Sequence, residues 1–503
     1  MKINILIGGK AGQGINKVSE IVSKILVDQG YFTFNYRDYP SLIRGGHNFN
    51  VLCVSDKRVG SYESELDIIV AMDEKTILLH KGSLKKSGII IGSKSFEKLG
   101  RNLNIALAGV LIKLLGINKN ILIEHVKKEF DNKETIDAAE KGFASQEKKF
   151  DFRKLNNKIS IMTGSVGISQ GAVNSEIDLY LSYPMTPSTG VMHDLASRQV
   201  ENNLMVFQPE NEIAAVNMGL GASFAGAKTM IGTSGGGYDL MTEGLSFQGM
   251  SEIPLVVYLS SRPGPGTGVP TYSSQADLNV ALRGGHGESP RVVIAPGDPI
   301  ECVEKTNEAF YLAEKFNTLS IILGDKHLAE SEFSSDEKPN KIIPVKVNRK
   351  VPGESIVKAS SYEHDKFGNT TESAEITKDN ADKRIEKYKK IKEECKKFEM
   401  IKIHGKKNSK NLVIGWGSTK TVILDAIERE DFKFLQVLYM KPLSDEIKNE
   451  IQKAKKVILV EQNVTGQLGR LLREKTGLKI ENKILKYDGR PFTCDELKER
   501  LMK

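Results

Sequence analysis

The run Tyr183-Pro184-Met185-Thr186-Pro187-Ser188-Thr189 constrains this chain more than any other stretch. Each of its prolines removes a backbone donor and fixes φ, which excludes a helix interior and a central strand. The run follows the apolar segment from Ile177 to Leu181 and precedes Gly190. That order predicts a rigid loop at the carboxyl end of a strand, where open α/β sheets build their ligand sites. Between and beside the prolines, Thr186, Ser188 and Thr189 offer hydroxyls to a carboxylate or a polar cofactor ring. A proline-rich turn with no ligand fits this run equally well, so other segments must decide.

A chain of 503 residues is too long for one core and implies roughly three or four domains. Hydrophobic residues at 39% and charged residues at 27% describe a globular protein. No apolar run approaches the length of a membrane span, which argues against an integral membrane protein. Met1-Lys2 leads straight into an alternating strand and leaves no room for a secretory signal. Cys53, Cys302, Cys395 and Cys494 lie far apart with no C-x-x-C pair. That spacing points to a reducing, cytoplasmic setting and away from a metal or cluster held by this chain alone. Much of the net charge of +8 comes from Lys-rich stretches between 340 and 410, without interleaved aromatics. Solvated surface or partner contacts explain it better than nucleic-acid binding.

Ile3, Ile5 and Ile7 alternate as in an opening strand, and Gly8-Gly9-Lys10-Ala11-Gly12-Gln13-Gly14 forms a glycine loop. Ile15, Val18, Val22, Ile25 and Leu26 then follow a helical period, so the loop's amides face an anion at a helix N-terminus or simply make a tight turn. The loop matches neither G-x-G-x-x-G nor a Walker loop. A first domain spans 1–150, and the Lys-rich stretch from Phe143 to Asn157 reads as a linker. A second α/β domain spans 158–335, with apolar strands at Thr229 to Thr233 and Leu255 to Ser260 and a helix from Asn211 to Phe224. Residues 336–408 form a connector, in which Ile385, Tyr388, Ile391, Cys395 and Phe398 predict one amphipathic helix. His364-Asp365, with Gly368-Asn369 beyond it, reads as a turn rather than a metal site. A third, smaller α/β domain spans 409–503. Alternating strands and helices of these lengths imply three doubly wound, parallel-sheet domains.

Four segments of the second domain carry candidate chemistry. The proline loop is the first. The second is Gln208-Pro209-Glu210-Asn211-Glu212, where a strand meets a helix. Its carboxylates serve as ordinary first-turn helix charges, unless the small residues that follow, Ala214, Ala215, Gly219, Gly221 and Ala222, bury one of them. A buried carboxyl there becomes a proton donor. The third is Thr233-Ser234-Gly235-Gly236-Gly237, a strand end opening into a flexible loop. The fourth, Ser260-Ser261-Arg262-Pro263-Gly264-Pro265-Gly266-Thr267-Gly268, presents one guanidinium on a shaped loop. Arginine pairs bidentately with carboxylates, so an organic acid substrate follows.

These residues resemble the α subunit of the 2-oxoacid:ferredoxin oxidoreductases. The resemblance rests on the Tyr-Pro-Met-Thr-Pro run, Gln208-x-Glu210-x-Glu212 and Arg262-Pro-Gly-Pro-Gly-Thr-Gly. It extends to Gln275-Ala-Asp277-Leu278, Gly285-His286-Gly287-Glu288, Glu461-Gln462-Asn463 with Gly466-Gln467-Leu468, and Tyr487-Asp488-Gly489-Arg490-Pro491-Phe492. Met185 stands where many relatives carry Ile, a tolerated apolar swap. The first domain, with its glycine loop and Arg44-Gly45-Gly46, is similar to the family's γ subunit. The order γ then α is that of fused subunits associated with 2-oxoglutarate.

The resemblance implies a γ-type domain, a pyrimidine-binding domain for thiamine diphosphate and a transketolase C-terminal-like domain. It implies oxidative decarboxylation of a 2-oxoacid, leaning to 2-oxoglutarate, with coenzyme A taking the acyl group and ferredoxin the electrons. By motif position Glu212 is the catalytic glutamate that bonds the cofactor's aminopyrimidine ring, with Glu210 its competitor. Tyr183 and Pro184 join Thr186 and Glu212 around the cofactor, and Thr186 and Arg262 hold the substrate. A diphosphate site of this superfamily carries Gly-Asp-Gly, whereas Gly297-Asp298 is followed here by Pro299, Gly324-Asp325 by Lys326, and Asp488-Gly489 lacks the preceding Gly. A β subunit is therefore expected to supply the diphosphate site, Mg2+ and a 4Fe-4S cluster, in a hetero-oligomer with a dimeric core. Two other classes stand beside this one. A nicotinamide or flavin oxidoreductase built on the glycine loop leaves the proline loop and Arg262 unexplained, and a non-catalytic partner-binding subunit leaves Thr186, Glu212 and Arg262 unused.

Overall fold

A computed structural model describes residues 1–40, 46–130 and 132–503. By its contacts the chain divides into two compact units. One comprises Met1–Met162, Ser331–Glu337 and Thr493–Lys503; the other comprises Thr163–Glu330 and Lys338–Phe492. Arg44 and Gly45 of the Arg44-Gly45-Gly46 run lie outside the described residues.

The first unit is built on a seven-stranded sheet. Its order is Leu84–Gly92, Leu66–Ala71, Lys2–Lys10, His47–Ser55, Phe32–Asp38, Glu332–Ser335 and Ser160–Thr163. The opening strand pairs in parallel with Leu66–Ala71 and antiparallel with His47–Ser55. This sheet is therefore mixed, where a wholly parallel one was expected. Eight residues, 39 to 46, separate Phe32–Asp38 from His47–Ser55, too few for the crossover a parallel pair requires, so these two strands pair as neighbours in opposite directions. The helix Ile15–Asp28 follows Gly14, whose φ of 83° is left-handed backbone that glycine adopts freely. The stretch from Phe143 to Asn157 is packed rather than loose. Phe152 is buried against Tyr31, with ring centroids 4.7 Å apart, and the amides of Phe150 and Phe152 bond the carbonyls of Leu114 and Leu115. Aromatic side chains set among the lysines give that segment something to bury.

The second unit holds two sheets. The larger runs Tyr439–Lys441, Arg291–Ile294, Leu319–Asp325, Leu255–Ser261, Thr229–Thr233, Leu179–Leu181 and Met205–Phe207. All its neighbours are parallel except the edge strand Tyr439–Lys441. The smaller runs Ile401–Gly405, Lys433–Val437, Asn411–Trp416, Lys456–Glu461 and Asn482–Leu485, with only the first strand antiparallel. One apolar cluster joins them, from Leu181, Ile231 and Val257 to Ile414, Trp416 and Leu459. Buried charge joins them too: the Lys420 ammonium bonds Glu301 at 2.6 Å and also pairs with Asp298. Against the push of burial, Lys420 and Lys402 hold the Glu301 carboxyl well below its ordinary value. In the connector the amphipathic helix forms over Ala374–Cys395, burying Ile391 and Cys395. Asp365 accepts the amides of Phe367 and Asn369, which makes the His364-Asp365 segment a turn. Among the described residues no helix is long and apolar enough to cross a membrane.

Candidate functional site

The strands Leu255–Ser261, Thr229–Thr233, Leu179–Leu181 and Met205–Phe207 are consecutive in the larger sheet and run parallel. Their carboxyl ends therefore share one edge, and the four candidate loops leave from it. The proline loop is held from within. Ser182 bonds the Gly232 carbonyl at 2.8 Å and Ser188 bonds the Met185 carbonyl at 2.8 Å. The first ties the loop to the neighbouring strand Thr229–Thr233 and the second closes a turn within it, while Tyr183 and Pro184 stay exposed and Thr186 half-buried. Arg262 reaches across from the neighbouring loop and donates to the Thr186 carbonyl oxygen at 2.9 Å.

Glu212 opens the helix Glu212–Phe224, which Asn211 caps through the Ala214 amide at 2.9 Å. The small residues behind it let the chain pack closely, and Glu212 is only 3% exposed. Glu210, two residues earlier, is exposed. The Glu212 Oε1 atom is buried with no hydrogen-bond partner among the described residues. Leaving a carboxyl oxygen so costs on the order of 1–3 kcal/mol or more, so native folds rarely do it without a ligand or water to meet it.

The helix Gly235–Ser251 begins between two carboxyls. A Cβ on Gly237 would stand 2.6 Å from Glu212 Oε1, and one on Gly235 would stand 2.7 Å from Asp277 Oδ2. Both approaches need glycine. Asp277 Oδ2 also lacks a partner among the described residues, as do the buried hydroxyls of Ser234 and Ser261. Burial pushes the Asp277 carboxyl up to about 6; the nearby Ser261 hydroxyl opposes it most, Asp239 acts with burial and Arg262 against it. Burial lowers the Arg262 guanidinium from its ordinary value, and the charges of Asp277 and then Glu212 counter that. All four predicted segments thus meet, with Asp277 as a member that sequence reasoning left outside the site. Its signal was the Gln275-Ala-Asp277-Leu278 motif itself.

Other motifs hold the site in place. Gln275 donates to the Trp416 carbonyl at 2.8 Å and accepts the Gln462 amide at 2.9 Å. Glu461 Oε1 accepts from Trp416 Nε1, Asn463 Nδ2 and the Leu468 amide, each at 3.0 Å. Arg490 stacks on the Tyr272 ring at 3.9 Å, and the Ser273 amide bonds the Gly489 carbonyl, which backs the loop after Arg262. Two of the Gly-Asp pairs serve structure: Asp298 caps the helix Pro299–Phe316, and Asp325 accepts from Ser418 and the Leu328 amide. All four cysteines are buried.

The family described as pyruvate flavodoxin/ferredoxin oxidoreductase, thiamine diphosphate-binding, matches residues 170–399, and pyruvate ferredoxin/flavodoxin oxidoreductase matches residues 4–102. The α subunit of the 2-oxoacid:ferredoxin oxidoreductase of a Sulfolobus species is 28% identical over 617 aligned positions, which cover 100% of this chain and 97% of that one. The 2-oxoglutarate synthase subunit KorA of Methanocaldococcus jannaschii is 31% identical over 337, covering 62% of this chain and 90% of that one. A solved structure of 2-oxoglutarate:ferredoxin oxidoreductase from Magnetococcus marinus, with 2-oxoglutarate, coenzyme A and succinyl-CoA bound, superposes with a TM-score of 0.90 at 25% identity, covering 100% of this chain and 99% of that one.

Proposed function

The chain belongs to the 2-oxoacid:ferredoxin oxidoreductase family as an α subunit, and we propose that within it these loops activate thiamine diphosphate and hold 2-oxoglutarate for coenzyme A-dependent oxidative decarboxylation. The buried, unpartnered Glu212 Oε1 carries this reading. A carboxyl oxygen with no partner of its own, beside a glycine-floored approach at Gly237, suits a ring nitrogen of the aminopyrimidine. When bound, the cofactor supplies a nucleophilic carbon and a sink for the electron pair that decarboxylation releases.

Glu212 exchanges a proton with the ring at Oε1, and its burial keeps water from competing for that oxygen. Tyr183, Pro184 and Thr186 shape the wall of the loop against the cofactor. Arg262, tethered to the Thr186 carbonyl, keeps further N–H groups for the 2-oxoacid C1 carboxylate, which its planar fork meets in bidentate fashion. The preference for 2-oxoglutarate is supported by the names of the Methanocaldococcus and Magnetococcus relatives and by the γ-then-α order. Under this reading residues 1–150 are a γ-type domain, 158–335 bind the pyrimidine and 409–503 form the transketolase C-terminal-like domain. A partner β subunit supplies the diphosphate site, Mg2+ and the 4Fe-4S cluster that passes electrons singly to ferredoxin.

Glu212→Gln keeps shape and removes the ionisable carboxyl. In the assembled complex it should slow exchange of the cofactor's C2 proton and turnover by roughly two to four orders of magnitude, while calorimetry still detects thiamine diphosphate binding. Glu210→Gln, on an exposed side chain, should change both rates only a few-fold. The reverse ranking would show that the other carboxylate activates the cofactor.

A further inference from the structure

We propose that the groove around Lys441 is a binding site for a phosphate-bearing small molecule. It is a cavity of about 720 Å3, and it lies at the opposite edge of the larger sheet from Thr186, Glu212 and Arg262. Arg291 starts its strand level with Leu319 and Leu255, at the amino ends of the parallel strands, whereas Arg262 follows the carboxyl end of Leu255–Ser261. Lys441 reaches the groove from the antiparallel edge strand, where it stands opposite Val293.

The charges around this cavity do not balance. The Lys441 ammonium has no acidic or hydrogen-bonding partner among the described residues; its one recorded contact is the face of Tyr388, 5.9 Å from the ring centroid. Arg291 is 4% exposed and held by the carbonyls of Gly284 and Ala281, to which it donates, with no carboxylate paired to it among the described residues. Arg283 and Lys475 share the single carboxylate of Glu474. Glu288 stands exposed at the rim, as does Lys448, while Lys392 is matched by Asp445 and Arg384 by Glu363. Of the four cations Lys441, Arg291, Arg283 and Lys475, only the last two meet a carboxylate among the described residues, and they share the exposed Glu474. Burial first, and then Arg291, Lys475 and Arg283, push the Lys441 amine down to about 8, with Glu474 acting weakly the other way.

A phosphate dianion answers this arrangement better than a monocarboxylate does. It balances two positive charges at once and takes the three N–H donors of one ammonium. Beside the cations the groove is apolar, with Met440, Leu443, Leu471 and Ile385 on its walls, so the ligand carries a hydrophobic body beyond its phosphate.

Pyridoxal 5′-phosphate is the probe, because its aldehyde condenses with a neutral amine while its phosphate tests the cation cluster. At pH 8 the lowered Lys441 amine offers far more of its neutral form than an ordinary lysine, which is neutral to less than about 1%. After borohydride reduction and peptide mapping, Lys441 should carry label well ahead of Lys448 and Lys392. Inorganic pyrophosphate should protect it, and Arg283→Ala should weaken that protection roughly tenfold or more. Lys441 labelled no faster than exposed lysines, or labelled equally with and without pyrophosphate, would overturn the assignment. Because the first measurement uses the unaltered protein, a misfolded variant leaves the test intact.

Discussion

Asp277 and Glu212 face the first turn of one helix, yet their neighbours in the chain present them differently. Glu212 precedes small residues that announce close packing, and its burial was legible from sequence. Asp277 is followed by Leu278 and Asn279 and carries no such announcement; its burial is created by Gly235, more than forty residues earlier in the chain. The consequence is a titration. With its carboxyl pushed up to about 6, Asp277 is neutral below that pH and negative above it, beside Arg262. The raised value means its contribution to stability is complete below the ordinary carboxylate value and is lost as pH rises through about 6. For catalysis the sign is the same. Above pH 6 the Asp277 charge would compete for the guanidinium with the substrate carboxylate that we propose Arg262 holds. kcat/KM for the 2-oxoacid should fall several-fold as pH rises through about 6, mainly through KM, and Asp277→Asn should flatten that limb of the profile. An unchanged inflection in the Asn variant would place the titrating group elsewhere.

At the scale of elements, helices and strands follow the apolar periods closely: Asn211 to Phe224 becomes the helix Glu212–Phe224, and Leu255 to Ser260 becomes the strand Leu255–Ser261. How closely two elements approach was not legible. The helices Leu103–Leu114 and Lys133–Ala144 meet backbone to backbone at Gly109 and Gly142. A Cβ on Gly142 would lie 2.6 Å from the Ala106 carbonyl carbon and 2.8 Å from its Cα, with the carbonyl oxygen nearer still. Intrinsic propensity favours Ala over Gly in a helix by about 1 kcal/mol. Overpacking against backbone that cannot yield costs about 1–3 kcal/mol. Gly142→Ala should therefore lower the urea midpoint of the first unit's transition despite its better propensity. A raised midpoint would show that the two helices separate freely.

For the whole molecule the expectation concerns the groups that a β subunit is proposed to supply. Its four cysteines are buried, and among the described residues no cluster of three or more His, Cys, Asp or Glu side chains is placed to bind a metal ion. The chain purified alone should carry no iron, show no cluster absorption and turn over no 2-oxoacid, and adding the β subunit should restore all three; iron or turnover from the isolated chain would refute the division of labour. Sequence by itself determined the α/β class, the loops at strand ends, the family motifs and the carboxylate, Glu212, that small residues would bury, because periodicity, proline and glycine act within a few residues of themselves. Only the tertiary structure decided that the sheet of the first unit is mixed, that two sheets share one core beside Trp416 and an ion pair at Lys420, that burial pushes the Asp277 carboxyl up to about 6, and that Lys441 stands among cations with no acidic partner among the described residues. Burial and electrostatic field are sums over neighbours brought from distant parts of the chain, and no local window contains them.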